Sequence, residues 1–244
     1  ATLINFDHFE EIRKSRDKES LLAYLAKYLP FRNSSGQLDP REISRHLMSL
    51  IAAIDALINR QINAVIHHPR FQKLESSWRG IRYLVDQTEM YDDEKQVRVR
   101  VLNVSWQQLG KDLDRAIEFD QSEMFRRVYS DEFDTPGGEP FGLLLGDYEI
   151  THKPQPGTIT NDVQTLRSVS AVAAAAFSPF VASAHPSLLG LDDFNELGLG
   201  HNINSTFRQP EYAAWNALRE TDDSRFLGLV MPQVMVRAPY RDDG

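Results

Sequence analysis

Apolar residues are spaced in two different ways along the chain, and the change between them divides it. Up to about residue 85 they recur at helical intervals; from about residue 96 short runs with strand character alternate with helical ones. In residues 7–29, Phe9, Ile12, Leu21, Leu22, Leu25 and Leu29 form the apolar positions of a first helix, with the charged stretch Arg13 to Lys18 in its middle. Pro30 stops that helix, and residues 31–38, with Asn33, Ser34, Ser35 and Gly36, read as a linker. Asp39-Pro40-Arg41-Glu42 then supplies an N-cap acceptor, proline at the first helical position and glutamate at the third. Ile43, Leu47, Leu50, Ile51, Ile54, Leu57, Ile58, Ile62 and Val65 follow at helical spacing. That predicts a helix about 42 Å long at 1.5 Å per residue. Pro69 ends it, and a further helix resumes with Phe71, Leu74, Trp78, Ile81, Leu84 and Val85 on one stripe. Two long amphipathic helices in succession need a large partner surface, within the chain or on a neighbour.

The period then changes. Val97, Val99 and Val101 alternate with arginines, which predicts a strand with one wet face. Ser105 is placed to cap a helix running to Ile117, and Ser122 another to Phe133. Thr135-Pro136-Gly137-Gly138 is a turn, and Phe141 to Leu145 predicts a strand covered on both faces. Thr160 to Phe177 is an alanine-rich helix ended by Pro179, and its small residues from Ala171 to Ala176 suit close packing on a sheet or helix. A buried strand at Phe180–Ala184, short helices near Leu191–Leu197 and Glu211–Arg219, and a strand at Phe226–Met231 complete the pattern. The fold class expected is α/β: a layered, mainly parallel sheet with flanking helices, preceded by long N-terminal amphipathic helices. Residues 1–38 read as an N-terminal helix and linker, and residues 39–244 as the α/β domain.

Composition narrows the function. With 41% hydrophobic and 25% charged residues the chain is ordinary for a globular protein. The absence of cysteine excludes disulfides and thiolate metal sites and suits a reducing compartment. No uninterrupted run of eighteen apolar residues occurs, so no membrane insertion is expected, and the N-terminus lacks the pattern of a signal peptide. A net charge of −8 argues against nucleic acid, whose phosphates call for a concentrated basic face; Arg98 and Arg100 are only a solvated pair.

Candidate chemistry is thin. Gly110-Lys111 resembles the end of a phosphate-cradling loop, but Ser105 stands where its first glycine belongs, and Gly110 is expected to interrupt the helix begun there. His67 and His68 are adjacent, point to different sides of a helix, and read as complements to the dipole at its end. His46, His152, His185 and His201 lack partners at ligand spacing, so no metal and no cofactor is expected. Asp92-Asp93, Asp192-Asp193 and Asp222-Asp223 suit caps and turns. Gly146-Asp147-Tyr148, at the end of a buried strand, is the best remaining active-site candidate, and nothing nearby looks like its acid–base partner.

Three stretches are distinctive instead: His68-Pro69-Arg70-Phe71-Gln72-Lys73-Leu74-Glu75-Ser76-Ser77-Trp78-Arg79-Gly80 through Val85; Gly138-Glu139-Pro140-Phe141-Gly142 with Gly146-Asp147-Tyr148; and Glu211-Tyr212-Ala213-Ala214-Trp215 through Leu218-Arg219, Asp223-Ser224-Arg225-Phe226, Met231-Pro232 and Arg237-Ala238-Pro239-Tyr240. In this order they closely resemble the large subunit of the contractile sheath of the bacterial type VI secretion system, the TssC/VipB family. Ser76-Ser77 departs slightly, since the family more usually has one small residue beside Gly or Ser. The resemblance implies a structural, non-enzymatic subunit of the bacterial cytoplasm that pairs with a small sheath subunit. With further copies of itself it polymerises helically around an inner tube protein, and contraction drives effector delivery. It also implies a AAA+ ATPase that disassembles the contracted product. Family members are roughly twice this length, so an N-terminal fragment is expected, the C-terminal half being absent. Within the family, N-terminal segments link neighbouring subunits, which makes Leu21, Leu22, Leu25 and Leu29 candidate linker residues; equally, they suit packing on this domain's own helices. Phe71, Trp78, Tyr212 and Trp215 are the candidate fold anchors, Trp78 seating its helix in the core. The alternatives are a non-polymerising adaptor built on the same domain, or a hydrolase or nucleotide-binding enzyme dependent on Asp147.

Overall fold

A computed structural model describes residues 40–92, 94, 96–154, 161–199 and 202–241. The helix expected over residues 7–29, with Leu21, Leu22, Leu25 and Leu29, lies outside them, as do Asp39 and His201. The described residues up to Glu75, with those from Ala238 onward, belong to one compact unit, and Ser76–Arg237 form a second.

Two helices follow one another with a break of two residues: α1, Pro40–Ile66, and α2, Pro69–Tyr91. The break is built by proline. Pro69 has no N–H to donate and a φ already suited to the first helical turn, so His68 becomes the cap. Its carbonyl accepts from the Phe71 and Gln72 amides at 2.9 and 3.1 Å, and its Nδ1 accepts from the Arg70 amide at 3.2 Å. The role expected of His68, a cation against the end of α1, is thereby corrected: its imidazole is an acceptor serving the start of α2.

The second unit is organised around a parallel three-stranded sheet in the order β1 (Leu144–Ile150), β2 (Phe180–Ala184), β3 (Leu227–Val230). Leu144 pairs with Phe180 and Phe180 with Leu227, and the β1–β2 register shifts between Gly146 and Glu149. Ahead of the sheet come α3 (Trp106–Arg115) and α4, a helical turn at Glu123–Phe125 that continues into a wider π turn over Arg126–Ser130. Between β1 and β2 runs α5 (Asp162–Ala175); between β2 and β3 run α6 (Ile203–Thr206) and α7 (Ala213–Arg219), with short 3-10 turns around them.

Sequence chemistry explains the starts and stops. Ser105 and Gln108 form a reciprocal capping box at α3, the Gln108 amide donating to Ser105 Oγ at 3.2 Å and the Ser105 amide to Gln108 Oε1 at 2.9 Å. Gly110 does not interrupt that helix. It is buried within α3, where an added Cβ would lie 3.1 Å from Thr165 Oγ1 on α5, so its job is close helix–helix approach. Ser122 caps α4, accepting from the Phe125 amide. At the end of α5, Phe177 adopts φ 50°, with the Phe177 and Ser178 amides bonded back to Ala174 and Ala173 carbonyls. This is the left-handed stop more often taken by glycine, and it ends the helix before Pro179 can.

The core lies where α5 packs on one face of the sheet. Val169, Val172, Ala173 and Leu166 of α5 meet Ile150 of β1 and Phe180, Ala182 and Ala184 of β2, all buried, and α3 adds Leu109 and Leu113. Ala173 and Ala176, at the end of α5, are buried in the same cluster as Phe180, Ala182 and Ala184 of β2.

Two strand expectations are corrected. Residues 96–103 form no regular element and pair with no strand among the described residues, and Val97, Val99 and Val101 are exposed. Alternation states which face a strand would bury; it cannot supply the neighbouring backbone that makes one. Here the segment is held by side chains: Arg98 pairs with Glu139, and Arg100 with Glu132 and, at 2.8 Å, with Glu139, its guanidinium 5.5 Å from the Phe141 ring. The second strand begins at Leu144, not Phe141, and is covered on one face only. Leu145, Asp147 and Glu149 are exposed while Ile150 is buried.

Candidate interaction surfaces

Along α1, Leu47, Ile51, Ile54, Leu57, Ile58, Ile62 and Val65 form an apolar stripe, and every one of them is exposed. Ser44–Ile66 is long and apolar enough to cross a membrane by length and composition alone. That revises the expectation drawn from the missing uninterrupted run, because the apolar residues here are interspersed and a run count passes over them. Asp55 and Arg60 stand mid-helix. Each costs about 2.5–3.5 kcal/mol at the centre of a bilayer, and the clustering of the apolar residues on one side is the pattern of a helix that meets another protein surface.

On α2 no residue is fully buried, Phe71 is half-buried, and Trp78 is 62% exposed. Trp78 therefore does not seat its helix in a core among the described residues, which is a correction to the role expected for it. Arg82 pairs with Asp86 at 3.4 Å along the same helix, both side chains largely exposed. Tyr212 and Trp215 lie elsewhere altogether: Tyr212 is fully buried and Trp215 is 8% exposed, both in the core cluster of the second unit.

The residues that looked most like chemistry fall apart in space. Asp147 is exposed on the open face of β1, where it accepts a hydrogen bond from the Ser77 hydroxyl. Tyr148 points to the other face, and its hydroxyl donates to the Val104 carbonyl at 2.7 Å. Burial, and then the charge of Asp147, push the Tyr148 phenol above its ordinary value. His152 is buried, its ring stacked on Tyr212 at 4.0 Å and its Nε2 3.6 Å from Glu211, whose other oxygen takes the Lys153 ammonium at 3.2 Å. Burial first, and Lys153 second, hold the imidazole below its ordinary value despite Glu211. His185 is a local cap, accepting from the Ser187 amide at 3.2 Å. The acidic pairs serve turns: Asp92 accepts from the Val97 amide at 2.6 Å and Asp193 from the Asn195 amide at 2.7 Å. Among the described residues no group of three or more metal-binding side chains converges.

One polar hub went unread in the sequence. Asp162 opens α5 and is buried; its Oδ1 accepts from Trp106 Nε1 at 2.8 Å, and its Oδ2 from the Thr151 amide at 3.0 Å, with the Thr151 hydroxyl 2.8 Å away. One carboxylate thus ties the start of α3, the exit of β1 and the start of α5. The signal available was an acidic residue in a first helical turn, which does not say which distant groups will reach it.

The class these features define is an α/β domain whose conspicuous surfaces are apolar and exposed, and whose buried polar groups tie elements together. Residues 48–244 match the VipB family, described as EvpB/VC_A0108, tail sheath N-terminal domain, and the chain belongs to that family. It is 40% identical over 198 residues to the type VI secretion system sheath protein TssC1 of Pseudomonas aeruginosa strain PAO1. That alignment takes in 80% of this chain and 38% of the relative, so the chain spans well under half the length of the curated relative it matches.

Proposed function

We propose that this chain is the N-terminal part of a large sheath subunit that pairs with a small sheath subunit and, with further copies of itself, polymerises around an inner tube. Contraction of that sheath drives effector delivery from the bacterial cytoplasm. Its role is structural and mechanical, with no catalytic step and no cofactor, and a AAA+ ATPase recycles the contracted sheath. The observation that carries this reading is the family match over residues 48–244. The exposed stripe of α1 supports it: from Leu47 to Val65 it runs about 27 Å, a length suited to a partner helix. In a contractile assembly the stored energy lies in alternative packings of interfaces, which asks for such surfaces and not for convergent acid–base groups.

The test is co-expression of the longer protein that carries this chain with its small sheath partner. Co-purification of the two and tubular particles in electron micrographs are the expected result. A longer protein that stays folded yet neither binds the partner nor forms tubes overturns the reading and points to a non-polymerising adaptor.

A further inference from the structure

One face of the sheet in the second unit is left open among the described residues. The strands step β1-β2-β3 in one direction, and the two connections pack on one side of them: Val169 and Val172 of α5 and Trp215 and Leu218 of α7 share a single core cluster with Phe180 and Ala182. Right-handed crossovers taken in a constant direction produce that arrangement. On the other face the register sets Leu145 beside Val181 and, next along, Glu149 beside Ser183 and Val230. Leu145 and Val230 are 55% and 54% exposed, and Val181 and Ser183 are only half-buried. Helix α2 reaches this face through Ser77, which bonds Asp147, and leaves those apolar side chains open. Parallel sheets occur almost only with both faces covered.

The path of the chain points to what covers it. Strand β3 ends at Val230, and shortly afterwards Gln233 Nε2 donates to Glu149 Oε1 at 2.9 Å. Glu149 belongs to β1, two strands away and about 10 Å across the sheet, so the exit from β3 turns back over the open face instead of outward. Val234, Met235 and Val236 follow, all exposed. A chain that winds a parallel sheet in one direction and then doubles back places its next right-handed connection on the opposite face. The domain matched by residues 48–244 is described as an N-terminal one, and most of the curated relative lies outside the alignment. We infer that the polypeptide following residue 244 in the longer protein lays an amphipathic helix on this face. Its apolar side chains meet Leu145, Val181 and Val230, and a lysine or arginine at its rim meets Asp147 and Glu149. The inference rests on the sheath reading for the existence of that longer protein, and adds that the sheet is completed within one subunit, so that this face is not a contact between subunits.

The experiment puts a photo-reactive benzoylphenylalanine into the longer protein in place of Leu145, of Val230 or, as a control, of Ile117, each an exposed position here. Each variant is irradiated alone and with the small sheath partner, and the cross-linked peptides are mapped by mass spectrometry. Two probe positions are used so that one misfolded variant does not decide the outcome. The Leu145 and Val230 probes should give products of single-chain mass whose cross-links lie beyond residue 244, several-fold more abundant than any from Ile117, with or without the partner. Cross-links into residues 1–39, cross-links that join two copies or form only with the partner, or none above the Ile117 control overturn the inference. Tubes with cross-links elsewhere sink it and leave the sheath reading standing; cross-links beyond residue 244 in a protein that forms no tubes do the reverse.

Discussion

Asp162→Asn is a change of one atom, and the structure allows its cost to be worked out. The carboxylate offers two acceptor oxygens, one to Trp106 Nε1 at 2.8 Å and the other to the Thr151 amide at 3.0 Å. A carboxamide has one oxygen and one NH2. If the oxygen serves Thr151, the Trp106 indole faces a second donor; if it serves Trp106, the Thr151 amide does. Either way one N–H is orphaned, at about 1–3 kcal/mol. The anion in the first turn of α5 is also lost, worth about 0.3–1 kcal/mol. Trp106 is half-buried, which lets water soften the loss, so the expected total is about 2 kcal/mol. Urea unfolding of the second unit, followed by tryptophan near-ultraviolet circular dichroism, would read it as a fall in midpoint at constant slope. The decisive control is the cycle with Trp106→Phe, which removes one competing donor. With that donor gone, the Asn oxygen can serve Thr151 without an orphan, so Asp162→Asn should cost at least about 1 kcal/mol less in that background. Additivity within experimental error, or a loss below about 0.5 kcal/mol for the single change, refutes the assignment of Asp162 as a three-element tie.

Three further outcomes follow from the same geometry. Because the folded imidazole of His152 sits below its unfolded value of about 6.5, folding favours the neutral form. Stability is therefore full above that pH and declines as pH falls through it toward the folded value; His152→Phe, which keeps the stack on Tyr212, should flatten the melting temperature measured from pH 7.5 to 5, and an unchanged slope would refute this. Gly138→Ala places a Cβ 2.2 Å from the Glu132 carbonyl oxygen, a backbone atom that cannot swing aside, so thermal unfolding should show a loss of about 1–3 kcal/mol. Trp78→Ala, at an exposed position, should change the unfolding free energy of the chain by no more than about 0.5 kcal/mol. Tyr212→Ala, at a fully buried one, should lower it by about 3–5 kcal/mol, and the reverse ranking would show that the core has been misplaced.

Much of the local structure was legible before any coordinates. Ser105 and Ser122 mark helix starts through short-range chemistry, and each acts where its spacing places it. The apolar stripe of α1 and the alternation in Phe180–Ala184 are likewise carried by residues a few positions apart. The three distinctive stretches pointed to the sheath family because they record the whole sequence, including constraints no local rule expresses. Local spacing misled where the answer depended on a distant neighbour. Val97, Val99 and Val101 have the right alternation, but a strand needs a second backbone beside it. Trp78 sits on a helical apolar stripe just as Tyr212 and Trp215 do, yet only the latter two have the α5-backed core to enter.

The sequence by itself therefore determined where several helices start, the alternation of Phe180–Ala184 and the family. Only the tertiary structure decided which faces are covered. The reason is physical: periodicity and capping act over a single turn or pleat, whereas burial depends on what the rest of the chain brings alongside. Asp162 shows the difference most directly, since its place in a first helical turn is local, but the Trp106 and Thr151 donors that make it a tie arrive from 56 and 11 residues away.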